Sequence, residues 1–327
     1  MTRASRTEIE VTQESLTPDT AAAVQALAVL GEDADGVAPL SEQVLLRVRH
    51  ASSRPTHLVA RLRAAGAGTA DGPGGLVGYL VLQPGGDEHT AELVAELVVH
   101  PNHRRRGVGR ALLGAALAAV AANELPGATL KIWAHGDRPE AAALAEHLGF
   151  VRDRILLQMR RPTSAPLPDV PVPDGVRIRT FRPGADDDAW VVLNARAFAA
   201  HPEQAYVTVE DLRERQEESW FDPAGFFLAE RIEDDRLVGF HWTKVHERPT
   251  PAGEVYVVGL HPDAQGTGLG LALTVTGLAH LASLGLPLVL LYADETNAGA
   301  VRMYERLGFR THHTDVEYAR RVVDRAG

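Results

Sequence analysis

The sequence predicts an α/β protein in which one domain is written twice, and three observations carry that expectation. A glycine-rich turn occurs in each half, Arg-Arg-Arg-Gly-Val-Gly at 104–109 and Gln-Gly-Thr-Gly-Leu-Gly at 265–270. Each turn follows a β-branched run and opens an apolar helix, and each half later closes on Leu-Gly-Phe, at 148–150 and 307–309. From Arg104 to Gln265 the offset is 161 residues, and between the two Leu-Gly-Phe endings it is 159. A drift that small is what short loop changes in a duplicated domain produce.

The elements follow in order. Residues 75–83 and 91–100 read as strands, the turn at 104–109 opens a helix to about residue 122, and a strand at 128–135 precedes a short helix at 139–148. Prolines then stand at 162, 166, 168, 171 and 173. Such a run suits neither helix nor central strand, so 161–175 reads as an extended spacer. In the second half, strands are expected at 176–181 and 226–231, with a helix at 188–199 between them. Strands at 237–246 and 254–260, the turn at 265–270 with its helix, a strand at 288–292 and a helix at 298–307 complete the plan. At 327 residues two hydrophobic cores are expected. The reading is an N-terminal domain at 1–160 and a C-terminal domain at 176–327.

Composition narrows the function. With 45% apolar and 23% charged residues the chain is an ordinary globular sequence. A formal net charge of −10 argues against general binding to nucleic acid or anionic membranes, and suits a cationic substrate such as an amine. The absence of cysteine removes disulfides, thiolate metal sites and a cysteine nucleophile. No His, Asp and Glu cluster shows metal-ligand spacing, so no metal is expected. No apolar run is long enough to span a bilayer, and residues 1–13 lack a signal-peptide core. The expectation is a cytoplasmic monomer whose partners are small molecules, with neither nucleic acid nor membrane among them.

Glycines in such a turn let the backbone approach a ligand, and free N–H groups at a helix N-terminus attract an anion. The spacing Gln/Arg-x-x-Gly-x-Gly, set between strand and helix, resembles the pyrophosphate loop of the GNAT superfamily of N-acetyltransferases. The resemblance implies two tandem GNAT-type domains, each a mixed, mostly antiparallel sheet flanked by helices, and acetyl-CoA as co-substrate.

The halves differ where chemistry would occur. Shifted by the duplication offsets, Glu254 falls on Leu93, Asn297 on Arg138 and Tyr304 on Ala145. The second half alone therefore carries a strand carboxylate, an asparagine at a helix start and a helix tyrosine, and is expected to be the catalyst. The first half keeps its turn, with Arg104, Arg105 and Arg106, and is expected to bind a CoA-like ligand without catalysis. Glu254 is placed to accept the amine proton, directly or through a water. An α-amine, with a pKa of about 8, needs only a modest base. By resemblance, a backbone N–H among Val258, Gly259 and Leu260 polarises the thioester carbonyl, with Gly259 leaving room for the cofactor, and the Tyr304 hydroxyl protonates the departing thiolate. Transfer is expected to be direct, through a ternary complex. His201 and His241 lie near this site and receive no role.

Longer stretches resemble one tandem member, the mycothiol synthase family. They are 95–101, 104–109, 133–136 and 158–162 in the first half, and 197–198, 201–204, 220–223, 239–246, 254–259 and 290–292 in the second. That family acetylates the cysteinyl α-amine of 1D-myo-inositol 2-(L-cysteinylamino)-2-deoxy-α-D-glucopyranoside, the final step of mycothiol formation. The resemblance implies acetyl-CoA contacts at Val258, Gly259 and Leu260, then Gln265, Gly266, Thr267, Gly268, Leu269, Gly270 and Leu271. It adds Asn297, Ala298, Gly299, Ala300, Val301 and Arg302. A CoA site in the first half would use Leu97, Val98 and Val99 with Arg105, Arg106, Gly107, Val108, Gly109 and Arg110. Acceptor contacts would be Glu42, Glu203, Lys244, Glu254 and Tyr292, with Glu42 supplied by the first domain. Two other readings stand beside this one: an N-acetyltransferase acting on another small amine or a peptide N-terminus, and a CoA-binding or sensing protein without catalysis.

Overall fold

The structure, a computed structural model, describes residues 8–49, 55–63, 75–85, 91–122, 127–199, 207–247 and 251–322. The chain folds as two compact units, Met1–Ile155 with Thr314–Gly327, and Leu156–His313. Each unit is a mixed, mostly antiparallel sheet with flanking helices.

In the first unit the strands are β1 (Glu8–Gln13), β2 (Thr56–Arg63), β3 (Leu76–Pro84), β4 (Glu92–Val99) and β5 (Thr129–Ala134), completed by residues 314–321 of β12 (Arg310–Arg321). Their order is β1-β2-β3-β4-β5-β12, and among the described residues only the β4–β5 pair is parallel. Helices α1 (Pro18–Asp35) and α2 (Glu42–Arg49) cover one face, and α3 (Val108–Ala122) packs on β2, β3 and β4. A short α4 (Pro139–His147) follows β5.

The second unit repeats the plan. Its strands are β7 (Val176–Thr180), β8 (Phe226–Arg231), β9 (Leu237–His246), β10 (Ala252–Leu260) and β11 (Leu288–Asp294), closed by residues 156–162 of β6 (Val151–Pro162). The order is β7-β8-β9-β10-β11-β6, again with one parallel pair, β10–β11. Helices α5 (Asp187–Ala197) and α6 (Val209–Gln216) lie on the aromatic side, α7 (Leu269–Ser283) packs on β8, β9 and β10, and α8 (Ala298–Arg306) follows β11.

The division differs from the sequence expectation at both ends of the second half. Residues 156–162, read as domain end and spacer, form the strand that pairs with β11, and residues 314–321, read as part of the C-terminal domain, pair with β5. In 156–162 the run into Pro162 and the prolines beyond it suggested a spacer, and in 314–321 charged residues around Val316 and Tyr318 obscured the strand. The proline-rich stretch from Thr163 to Gly175 carries neither helix nor strand.

The duplication persists at the level of single hydrogen bonds. His100 Nδ1 accepts from the Asn102 backbone N–H at 3.2 Å, and His261 Nδ1 accepts from that of Asp263 at 3.2 Å. Each histidine thereby caps the one-turn helix that leads into its glycine turn. The core of the second unit is aromatic: Phe226 stacks on Trp242 at 4.5 Å and on Phe181 at 4.3 Å, with Trp190 edge-on to Phe226, Phe240 and Trp242. Each buried ring contributes about 2–3 kcal/mol. That rigid floor supports the strands that carry the site.

Candidate active site

The two glycine turns share a backbone. Gly266 and Gly268 have φ of 76° and 87°, and their counterparts Arg105 and Gly107 have φ of 61° and 92°. Left-handed φ is what aims successive N–H groups at one point, and a Cβ built on Gly266 or Gly268 meets nothing within 4 Å. Conformation, not crowding, requires these glycines. Residues 265–268 are exposed and lead into α7; the N-cap Gly268 has no side chain to cap it, and Thr267 Oγ1 accepts only from the Leu269 N–H, at 3.4 Å, so the N–H groups that follow are open to an anionic ligand. The turn fits a pyrophosphate. Thr267 instead turns inward, its hydroxyl donating to the Ala264 carbonyl at 2.8 Å.

The strand ahead of the turn is splayed. Among the described residues β10 pairs with β11 over Gly253, Glu254 and Val255, while its pairing with β9 runs on to Leu260. Val258, Gly259 and Leu260 therefore lie past the last β11 pair, where an extended ligand has backbone to bind. In the first unit, β4 likewise pairs with β5 over Glu92 to Ala95, leaving Leu97, Val98 and Val99 beyond it. Gly259 has a different reason from the one the sequence suggested. A Cβ there would lie 2.4 Å from the Phe240 ring and 3.1 Å from Ala197, so the glycine makes room for the aromatic core.

Glu254, Lys244 and Tyr292 come together on one sheet face. Lys244 is the cross-strand partner of Glu254, and Leu290 is its partner on β11, with Tyr292 two residues on. Glu254 and Lys244 are buried, at 7% and 8% exposure, whereas Tyr292 is 42% exposed. The Lys244 ammonium sits 4.5 Å from the Trp220 ring centre and 5.4 Å from that of Tyr256. Arg215 on α6 donates to the Tyr256 hydroxyl at 3.2 Å and fixes that ring.

Three further residues on this face were not named from sequence. Gln158 Nε2 donates to the Tyr292 hydroxyl at 2.7 Å, and Arg160 Nε donates to Gln158 Oε1 at 2.8 Å. His246 Nε2 lies 2.6 Å from Glu254 Oε2. Only the strand register of β6 and β9 brings them here, though 158–162 and 239–246 were already distinctive in sequence.

Tyr304 is held separately from Glu254. It lies on α8 at 8% exposure, its ring edge-on to Phe309 at 5.8 Å, and burial pushes its hydroxyl pKa up to about 12. A phenol so raised stays protonated and able to donate. Asn297 caps α8, its Oδ1 accepting from the Ala300 N–H at 3.1 Å. Ala298, Gly299 and Arg302 are exposed along the first turns of that helix. Glu42 opens α2 in the first unit and is half-buried, and Glu203 lies outside the described residues, as does His201. His241 is a core residue on the opposite sheet face: its Nδ1 lies 2.8 Å from the Leu273 carbonyl, its ring needs Gly277 beneath it, and burial lowers its pKa to about 4.

The register also corrects one equivalence between the halves. β10 carries a bulge between Val255 and Val257, and β4 has an unbroken register. Glu254 pairs with Leu290 as Val94 pairs with Lys131, so the structural counterpart of Glu254 is Val94, not Leu93. One extra residue in the bulged strand accounts for the shift. The counterpart is still apolar.

Comparison with known proteins agrees with this architecture. The GNAT acetyltransferase domain model matches residues 56–152, and the acetyltransferase (GNAT) family model matches 192–309. A mycothiol acetyltransferase from Thermomonospora curvata is 53% identical over 309 residues, covering 94% of this chain and 96% of its own. One from Geodermatophilus obscurus is 52% identical over 314 residues, covering 94% and 96%. The chain belongs to the mycothiol acetyltransferase family. Among solved structures, a tandem GNAT protein from the clavulanic acid biosynthesis pathway superposes with a TM-score of 0.70 at 20% identity, over 96% of this chain and 99% of that one. A GCN5-related N-acetyltransferase from Sphaerobacter thermophilus gives 0.66 at 22% identity, with 98% of each chain covered. These two share the fold with this member of the mycothiol acetyltransferase family. Among its described residues no group of three or more His, Asp or Glu is placed to hold a metal, and no helix is long and apolar enough to cross a membrane.

Proposed function

We propose that this chain is an acetyl-CoA-dependent N-acetyltransferase that acetylates the cysteinyl α-amine of 1D-myo-inositol 2-(L-cysteinylamino)-2-deoxy-α-D-glucopyranoside, completing mycothiol. The observation that carries the reading is identity of about half with mycothiol acetyltransferases over nearly the full length. The buried Glu254 on a polar sheet face supports it. It acts in the cytoplasm as a monomer on small molecules.

In the second unit the 265–271 turn and the start of α7 hold the pyrophosphate, residues 258–260 hold the pantetheine arm and polarise the carbonyl, and residues 297–302 flank the carrier. Glu254 takes a proton from the substrate ammonium and the free amine attacks the thioester carbon. As the C–S bond breaks, Tyr304 gives its hydroxyl proton to sulfur, and the second proton lost by nitrogen restores the tyrosine. Lys244, Tyr292, Glu42 and Glu203 bind the hydroxyl-rich acceptor together with Glu254. The first unit binds a CoA-like ligand at Leu97, Val98, Val99 and the turn from Arg105 to Arg110, without transfer.

The test is CoA release from acetyl-CoA with this acceptor, a polyamine and a peptide amine in parallel. Release with the first amine only, and a product heavier by one acetyl group, is the expected result. Release with another amine overturns the acceptor, and binding of acetyl-CoA without release from any of the three overturns catalysis.

A further inference from the structure

Deprotonating an ammonium at a buried carboxylate leaves a proton that must escape before the next turnover. The net reaction converts R–NH3⁺ and acetyl-CoA into R–NH–CO–CH3, CoA–SH and one H⁺. The second proton leaving nitrogen replaces the one Tyr304 gave to sulfur, so the first one, taken by Glu254, is the one released. With Glu254 at 7% exposure, direct loss to bulk water from its carboxyl is obstructed.

The geometry points to His246 as the proton outlet of Glu254, an inference that rests on Glu254 being the base. His246 ends β9, diagonal to Glu254 across the β9–β10 register, and its Nε2 lies 2.6 Å from Glu254 Oε2. The imidazole is 31% exposed and the carboxylate side chain 9%. One oxygen of Glu254 thus meets a ring that reaches solvent, and the other is left for the amine. The proton passes from Glu254 to Nε2, forming an imidazolium, and the ring then gives a proton to water. Histidine suits this step because one ring nitrogen can take a proton while the other gives one up. The charged and titratable groups around the pair are Lys244 on β9, Tyr256 on β10 with Arg215 of α6 behind it, Tyr292 on β11, Arg160 on β6, and the exposed Glu247 that follows His246. In the first unit the residue at the same offset from His246 is Gly85.

The test compares the parent, His246→Gln, His246→Ala and Glu254→Gln in the full-length chain, reading kcat and KM for the acceptor across roughly pH 6 to 9. Glutamine keeps a hydrogen-bond donor for Glu254 but cannot relay a proton. For His246→Gln we expect kcat to fall about tenfold with the acceptor KM within about twofold of the parent. For His246→Ala we expect free imidazole to restore kcat, and acetyl-CoA binding to stay parental as the check on folding. Parental kcat in His246→Gln, or a loss in His246→Ala that imidazole leaves unchanged, overturns the outlet while Glu254→Gln remains inactive. Parental turnover in Glu254→Gln overturns the base itself.

Discussion

Glu254 in the second unit and Glu96 in the first are both buried carboxylates on the strand that leads into a glycine turn, and their surroundings differ. Glu254 is joined to a half-exposed histidine at 2.6 Å. Glu96 accepts from the Ser41 backbone N–H at 2.5 Å and from the Ser41 hydroxyl at 2.7 Å, and lies 3.6 Å from His135 Nε2. His135 Nδ1 in turn stands 3.1 Å from Asp315, which also accepts from the Gly136 N–H at 2.8 Å. Burial alone would lower the affinity of the His135 ring for its proton, but the bonds to Asp315 and Glu96 and their charges raise its pKa to about 10. A carboxylate held by two donors and an imidazolium has no reason to take a proton from an amine. The comparison teaches that a buried acid ahead of a glycine turn is not by itself a base: Val94 stands where Glu254 would, and Glu96, two residues on, is already saturated.

The sharpest way to break the comparison is to neutralise each carboxylate in turn. Glu254→Gln should lower kcat about a thousandfold, and Glu96→Gln should leave it within about threefold, both read as CoA release. Loss of transfer on changing Glu96 alone would reverse the roles of the two units.

Next in size is the stability of the first unit. His135 binds its proton more tightly folded than unfolded, so its contribution is complete below its ordinary pKa of 6.5 and is lost as pH rises through about 10. The melting temperature should therefore decline over that interval. His135→Gln should cost about 3 kcal/mol at neutral pH, because it strands two buried acids, and should remove most of the alkaline decline. A parental pH profile in the variant would show that the triad carries no charge.

A smaller effect is expected at Tyr304, whose counterpart in the first half is Ala145. Tyr304→Phe should slow turnover about tenfold while acetyl-CoA affinity, measured by calorimetry, stays parental. Smallest is the difference between the two turns. Arg105 occupies a left-handed conformation that Gly266 adopts freely, so Arg105→Gly should raise stability by about 1 kcal/mol, and Gly266→Arg should lower it by a similar amount. Equal melting curves would mean that Arg105 is not strained.

Much of this was legible in the sequence where local pattern and tertiary role coincide. The strands at 226–231 and 237–246 and the helix starts at Pro139 and Ala298 have the bounds the residues suggested. The GNAT-like turns were readable because left-handed backbone leaves glycines behind it, though Arg105 shows that the signature is not obligatory. Helices α1, α2 and α6 went unread although two of them carry start signals, Thr17 before Pro18 and the Thr208–Asp211 capping box, because such short signals stand apart from the glycine turns that drew the reading. The β10 bulge is invisible in sequence, since one extra residue in a strand changes no composition, and it displaced the counterpart of Glu254 by one position. Arg104 was counted as positive charge at the first turn. Its guanidinium instead makes bonds of 2.7 and 2.9 Å to both oxygens of Asp35 at the end of α1, and its Nε donates to the Val99 carbonyl at 3.3 Å. Side-chain partners across distant segments leave no local trace. For the same reason the sequence marked Glu254 but not His246.

The sixth strand of the first unit has a consequence for how the chain is made. Strand β5 is joined by residues 314–321, and His135 meets Asp315 across 180 positions of sequence. A ribosome that has already delivered every other strand of that sheet has not yet supplied this one. Until residues 314–321 have been made, β5 presents an unpaired edge, and Glu96 and His135 wait without their third partner. The unit begun first is therefore completed only after the second unit has been made.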